Sequence, residues 1–505
     1  MPNCIVIGAG PGGLVCTKEL LEAGITDVVC LEKDASVGGI FKRSYDSLYL
    51  TSSAAFSMFS DFWIGDGKAH EFWTKAEVVD YWTCYADHFG VTEKIRFGCN
   101  VSSAAQSDDG RWTVTLDNGD RLQADHLLIA PGNNIHPVTP DWASRLGAIS
   151  YVHACDYKNA DAFVGKNVLI VGGGESASDI ALEISKVAAK CSVSLRNGTG
   201  WVVPRERNGN ATDLSTHRGL WTLPRDDGAK ISRALLDRDT KAGKSDPAMA
   251  ALAQLNKAVT AKKGIWGTYG TKSFSLPRAI AEYGCQIVGE VTAIDEASRT
   301  LTCADGKKIG PIDCVVFATG YRSHVPFLDA PLADMDPRAL FKHMIHPDIG
   351  LGLFWIGFAR PTFGSQFPIM EMQARYCAQL ISGRCSLPAK DAMIAQASAD
   401  KDRYLDQFEA TGARVRGLVD YFGYMDQLAA LVGCAPPLWR YAFTRPRLWR
   451  HLVYGPAQAT QFRLEGPGAK PELARDFIMK IPTSPLNKVV KVGLFLRALR
   501  LLRLR

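Results

Sequence analysis

The sequence predicts an α/β fold, with two nested Rossmann-like domains followed by a mainly helical C-terminal extension. Three observations predict it. A strand, a glycine loop and a helix open the chain over residues 4–23. The same unit returns over 168–189. Each copy is followed by a β-hairpin and then by a strand that ends in Ala130-Pro131-Gly132 or Ala318-Thr319-Gly320. Two diverged copies of one unit explain this order.

The first copy begins with Cys4-Ile5-Val6-Ile7, an apolar run of strand length. Gly8 allows the tight turn that follows, Gly10 lets a ligand approach the backbone, and Gly13 lets helix and strand pack closely. Gly12 shares the loop. The helix over 14–23 then points its free N–H groups and positive dipole end at the loop, which suits a pyrophosphate. A second strand, 28–31, ends at Glu32, which falls 19 residues after Gly13. That is close to the ~20 expected of an acid that bonds a ribose hydroxyl. Gly38-Gly39 marks another close backbone approach. Lys33, Gly39 and Val101 complete the cofactor contacts expected of this unit.

Residues 45–63 are apolar and rich in hydroxyls without clean periodicity, and read as a loop with short helices lining a pocket. Over 75–89, Val78, Val79, Trp82, Tyr85 and Phe89 fall at helical spacing, so this is a core helix. Residues 111–116 alternate, turn at Asp117-Asn118-Gly119-Asp120 and resume at Arg121, a hairpin signal.

In the second copy, the strand 168–171 meets Gly172-Gly173-Gly174-Glu175-Ser176-Ala177, and a helix follows over 178–189. A strand over 192–195 ends at Arg196, again 19 residues after the last loop position, Ala177. Gly172, Gly174, Ser176, Ala177 and Arg196, with Thr319 and Gly320, are the expected contacts of a second nucleotide. Residues 204–283 form an insertion of unclear role, and 300–309 read as a second hairpin. Later helices are expected over 369–381, 391–408 and 415–432. The implied division is a first domain over 1–160, a second over 161–310 with the insertion at about 204–283, a return to the first over 311–440, and an extension over 441–505.

Charge separates the two loops. Glu32 accepts hydrogen bonds from a ribose diol and repels a 2′-phosphate, which suits FAD or NAD. Arg196 attracts a 2′-phosphate, as NADP requires. The pair therefore predicts FAD on the first loop and NADPH on the second. A solvated strand-end arginine is the plain alternative for Arg196, and Arg205 competes for the phosphate.

The 58 Lys and Arg against 52 Asp and Glu leave a net charge of +6 over 505 residues. That is too small to argue for nucleic acid, and no basic-aromatic stripe accompanies it. The 13 cysteines are scattered and form no CxxC pair, which predicts a reducing compartment and argues against zinc or a redox dithiol. No metal site is expected. With the first strand starting at Cys4, no leader is expected, and no apolar run reaches the ~20 residues of a membrane span. The expected location is cytoplasmic. In the tail, 486–505, Arg497, Arg500 and Arg503 share one helical face and Leu494, Phe495, Leu499 and Leu502 lie mostly opposite. Such a helix either lies on a membrane surface, giving peripheral contact, or docks on the protein with its arginines in solvent.

The chain resembles the flavin-containing monooxygenase family of class B flavoproteins. Beyond the two glycine loops, His153-Ala154-Cys155-Asp156-Tyr157 looks like the second half of the family's FxGxxxHxxx(Y/F) pattern, the first half being degraded at Gly147 and Ile149. The run 316–321, the segment Glu371-Met372-Gln373-Ala374-Arg375 and the stretches 419–429 and 454–468 also look like family signatures. The resemblance implies an FAD- and NADPH-dependent monooxygenase. It would insert one atom of O2 into an organic N, S or electron-rich carbon centre through a C4a-(hydro)peroxyflavin. The partners are then a small organic substrate and O2. Oligomeric state stays open.

One position departs from the family. A motif of the type Ser-Leu-x-x-Asn-Thr sets an Asn amide against the flavin, whereas here Ser47-Leu48-Tyr49-Leu50-Thr51-Ser52 places Thr51 there. Thr51 and Ser52 are therefore the candidate catalytic residues, with a pocket-lining role for Thr51 as the alternative. A hydroxyl offers one donor where an amide offers two. Three other activities remain open: Baeyer–Villiger oxygenation of ketones, an uncoupled NADPH oxidase releasing H2O2, and a membrane-attached electron-transfer flavoprotein.

Overall fold

The computed structural model describes residues 3–196, 198–259, 262–484, 491 and 494–498. Two five-stranded parallel sheets organise the chain. Across the first, the order is Leu353–Trp355, His126–Ile129, Cys4–Ile7, Val28–Leu31, Ile95–Arg96. Across the second, it is Gln286–Val288, Lys190–Ser194, Asn167–Val171, Cys314–Phe317, Ser150–His153. The last strand of the first sheet comes from residue 353 onward, so the second unit is inserted within the first. Both crossings lie side by side: His136–Pro137 pairs antiparallel with Tyr321–Arg322.

The central strands are buried on both faces, as expected of parallel sheets covered by helices. Helix Pro11–Glu22 packs between the first sheet and the helix Gln366–Ile381. In the second unit, helix Glu175–Ser185 packs against Ser275–Tyr283 of the insertion. The core helix of residues 75–88 has a capping box: Thr74 accepts from the Glu77 N–H, and the Glu77 carboxylate accepts from that of Thr74. The hairpin at the Asp-Asn-Gly-Asp turn forms with Trp112 opposite Ala124.

Two expectations change. The sheet partners move the division of the chain, because Ser150–His153 and Cys314–Phe317 pair with each other and belong to the second sheet. Boundaries at 160 and 310 would cut both strands away from it. The helix expected over 415–432 begins at Tyr421. Asp420 caps it by accepting from the Gly423 N–H at 3.1 Å, and Leu418–Val419 instead pairs as a strand with Arg360–Pro361. The apolar residues Val415, Leu418 and Val419 fit a helical period, but a cap placed after them decides the start.

The described residues 494–498 dock on the insertion. Leu496 is buried in a cluster with Trp201, Leu220, Leu223, Ile231, Ile265 and Trp266. Arg497 Nη2 donates to Gly219 O and Thr222 Oγ1 at 3.2 and 2.9 Å, at the C-terminal end of the short helix Arg218–Trp221. The described residues thus dock on the protein, but Arg497 faces the insertion and not solvent as the docked reading expected. Arg500 and Arg503 lie outside them. Among the described residues no helix is long and apolar enough to cross a membrane.

Candidate functional site

The two glycine loops repeat one geometry. Gly8 has φ +101°, and a Cβ there would sit 2.5 Å from Ala130 O. Gly172 has φ +133°, and a Cβ would sit 2.3 Å from Ala318 O. Each loop thus lies against the Ala-x-Gly turn of its own unit, which accounts for the recurrence of that turn. A Cβ on Gly13 would strike Gly8 O at 1.7 Å, while Ala177, at the equivalent place, is buried. Gly10 and Gly174 are the N-caps of their helices, in extended conformation and without a side-chain cap. A Cβ on either would meet nothing within 4 Å. First-turn N–H groups facing open space are what a pyrophosphate needs, so both loops fit a dinucleotide.

Around the first loop, Glu32 is buried and accepts from the Ala9 N–H at 2.6 Å and from the Asp34 N–H at 2.9 Å, one bond to each oxygen. A carboxylate oxygen has a second lone pair, so both can still accept from a diol. Gly39 has φ +53°, and its Cβ position lies 3.6 Å from Gly10 Cα, so the second glycine pair does abut the first loop. Gly12 packs beside Ala130 and Ile356. Lys33 is exposed. Val101 is buried two residues after Cys99, whose N–H donates to Glu32 O at 2.8 Å.

Around the second loop, Arg196 is exposed just beyond Lys190–Ser194, with no hydrogen bond or ion pair to another described residue. Arg205 is committed elsewhere. Its Nε donates to Leu50 O at 3.1 Å, and its Nη2 donates to Tyr49 O at 3.3 Å and to Asp179 at 3.0 Å. Ser176 is half-buried in the first turn of the helix. Thr319 Oγ1 donates to Val138 O, and Gly320 at φ +86° turns the chain back toward the first unit.

A cavity of about 510 Å³ lies where the first unit, the second loop and the insertion meet. Thr51 and Ser52 line it, as does Glu175 of the second loop. Of the residues expected as cofactor ligands from sequence, none lines it. Its apolar wall comes from Trp201, from the insertion and from residues 361–364, and includes Trp221, Ile231, Leu235, Trp266 and Phe363. Ser52 Oγ is 2.8 Å from Ser57 Oγ, which leaves the half-buried Thr51 hydroxyl free of a described partner.

The polar part of the lining holds ionic groups that no sequence motif marked. Asp213 Oδ2 accepts from the Ser53 N–H at 2.7 Å and lies 3.3 Å from Lys272 Nζ. Burial pushes the Lys272 ammonium below its ordinary range, with Asp213 opposing. Burial also raises the Glu175 carboxyl, against the pull of the Arg360 guanidinium. Arg360 Nη2 in turn donates to the Tyr269 hydroxyl at 2.6 Å. Asp213, Lys272 and Tyr269 lie in the insertion, and only contacts across units bring them to the site.

A second ionic cluster lies behind the first loop. Glu19, Glu22 and Asp61 come together there, but Lys18, Arg463 and Lys470 already pair with them. Their charge is met by side chains, so the cluster reads as a clasp between helix Pro11–Glu22 and residues 459–470.

A family model described as flavin-binding monooxygenase-like matches residues 2–492. This chain belongs to that family. It is a flavin-dependent monooxygenase that uses FAD and NADPH. The monooxygenase is 33% identical to the 4-hydroxybenzoate brominase (decarboxylating) of Marinomonas mediterranea, over 94% of this chain and 92% of that one. It is 30% identical to flavin-containing monooxygenase 5 of Cavia porcellus, over 92% and 89%. In fold, the monooxygenase is similar to S-allyl-L-cysteine S-oxygenase from Allium sativum, with a TM-score of 0.64 at 18% identity over 95% of this chain and 99% of that one. It is likewise similar to cyclohexanone monooxygenase in its closed form, with a TM-score of 0.61 at 14% identity over 86% and 97%.

Proposed function

We propose that this monooxygenase holds FAD on the loop Gly8 to Gly13 and NADPH on the loop Gly172 to Ala177, and oxygenates an organic substrate seated in the cavity beside Thr51 and Ser52. One observation carries the reading. Thr51, at the place where the family motif has its Asn, opens into the same cavity as Glu175 of the second loop and the tryptophans of the insertion. Bound there, the cofactors supply hydride transfer and oxygen activation.

The protein's own groups bind, orient and exclude water. Glu32 holds the ribose of the flavin nucleotide, and the uncapped first turns take the two pyrophosphates. Lys33, Gly39 and Val101 border the first nucleotide. Arg196 takes the 2′-phosphate of the second, with Ser176, Thr319 and Gly320 along its course. The Thr51 hydroxyl donates one hydrogen bond toward the reacting centre, and Ser52 fixes the backbone beside it through Ser57. Apolar walls keep the cavity dry.

Substrate-dependent consumption of NADPH and O2, with H2O2 measured in parallel, tests this. Oxygenation gives oxygenated product and little H2O2. Consumption that ends wholly in H2O2 assigns the uncoupled oxidase. Baeyer–Villiger activity shows as an ester or lactone from a ketone. The brominase relative supplies a second reading, bromination of an aromatic acid, which a bromide requirement for product formation tests.

A further inference from the structure

On the insertion helix Gly228–Ala242, Ile231, Leu235, Arg238 and Asp239 all border the cavity, so one helix face changes from apolar to ionic within two turns. Asp239 is buried, and a single oxygen of it meets two guanidinium groups. Arg238 Nε donates to Oδ1 at 3.0 Å, and Arg207 Nη2 lies 2.9 Å from the same atom. Arg207 reaches in from the short hairpin Glu206–Arg207/Asn210–Ala211. Its Nε is buried and donates to no described residue.

Two cations on one carboxylate leave one positive charge unmatched. The other ionic groups of the lining do not supply the missing anion. Asp213 pairs with Lys272, and Glu175 faces Arg360. Burial lowers the Arg207 guanidinium from its usual range, with Asp239 opposing and Arg238 adding to the effect. A half-buried, undercompensated guanidinium whose free Nε donor is itself buried favours an arriving anion. Arginine's planar fork suits a carboxylate in particular.

We propose that the substrate is an aromatic or aryl-alkyl acid, whose carboxylate is held by Arg207 and Arg238 while its ring packs on Ile231, Leu235 and Trp266. The proposal rests on the cavity being the substrate site, and it adds what that site selects. Arg207 acts here as a binding residue.

The test uses the FAD-loaded enzyme and equilibrium binding by calorimetry, which needs no turnover. Benzoate, phenylacetate and 3-phenylpropionate are each compared with the corresponding primary amide. At least one acid is expected to bind about tenfold or more tightly than its amide, the size of one charge-assisted hydrogen bond. Arg207→Gln should remove that preference, and Arg207→Lys should keep part of it. The proposal is overturned if no acid outbinds its amide, or if the preference survives in Arg207→Gln and Arg238→Gln alike. Should Arg207→Gln fail to fold, the acid–amide comparison in the unmodified enzyme still decides. Acid binding that depends on Arg207 but gives no oxygenated product would leave its carboxylate-holding role standing and overturn the cavity as the substrate site.

Discussion

Arg205 Nη2 donates to Asp179 Oδ2 at 3.0 Å, and the same carboxylate oxygen accepts from the Tyr45 hydroxyl at 3.0 Å. Asp179 lies on the helix that follows the second loop, whereas Tyr45 and the carbonyls of Tyr49 and Leu50 belong to the first unit. Arg205 is therefore a strut between units.

That assignment separates two arginines that look equivalent in sequence. Arg196→Ala should raise the KM for NADPH roughly ten- to a hundredfold and leave that for NADH nearly unchanged, since a hydrogen bond to a charged group contributes ~1.5–3 kcal/mol. Arg205→Ala should affect both nucleotides alike and lower the melting temperature. Steady-state kinetics with the two nucleotides, beside thermal unfolding, distinguish them. An equal effect of Arg196→Ala on both nucleotides would refute its phosphate role.

The glycines of the second loop should divide by geometry. Gly172→Ala forces a Cβ to 2.3 Å from Ala318 O at a φ of +133°. It should destabilise the second unit by about 1–3 kcal/mol or more. Gly174→Ala meets nothing within 4 Å and sits at φ −88°. Its fold should be unchanged. If the pyrophosphate rests against this residue, the KM for NADPH still rises. An unaltered KM in Gly174→Ala would move the phosphates elsewhere.

These contrasts show what the sequence discloses. Gly8, Gly13, Glu32 and their later counterparts act through local geometry, in which a turn, a cap and a strand end lie within some thirty residues, so spacing reveals them. The cavity does not work that way. Asp213, Lys272 and Arg360 reach one site from three distant segments, and no periodicity encodes their meeting. The helix start at Tyr421 was hidden for a related reason, because an Asp420 cap outweighed an apolar period. The docking of Leu496 depended on a cluster 200 to 300 residues upstream.

At Thr51, replacement by Asn restores the amide of the family pattern. One added neutral hydrogen bond of ~1 kcal/mol corresponds to roughly a fivefold change in a competing rate. Thr51→Asn should accordingly reduce the share of NADPH electrons released as H2O2. Quantifying H2O2 against NADPH in both enzymes checks this, and an unchanged or larger share would leave Thr51 as lining alone.

Leu496 closes the apolar cluster behind the cavity wall. Leu496→Asp should release residues 494–498, red-shift the emission of Trp201 and Trp266, and raise the substrate KM with little change in the KM for NADPH. Sedimentation with anionic vesicles should be the same for both proteins. Loss of vesicle binding in the variant, without a change in emission, would favour the membrane reading of the tail.

Arg463 has no exposed side-chain surface and meets Glu19, Glu371 and Asp61 together, while its Nε donates to Ser60 Oγ at 2.6 Å. Burial by itself would raise the Glu19 and Asp61 carboxyls. Arg463 and Lys18 beside them hold both below the usual carboxylate range. Groups depressed in this way stabilise the fold above the unfolded-state value of about 4, and that contribution disappears as pH falls through their folded values. Glu371 is raised by burial in spite of Arg463 and contributes with the opposite sign, so it offsets part of the effect. Arg463→Met leaves buried carboxylates short of a cation and should cost about 3–5 kcal/mol near pH 7. Because those carboxylates take up protons in acid, the difference from the unmodified enzyme should shrink between pH 5 and pH 2. Denaturant unfolding at several pH values measures it. A penalty that is small, or that stays constant down to pH 2, would show that the clasp contributes through packing and not through charge.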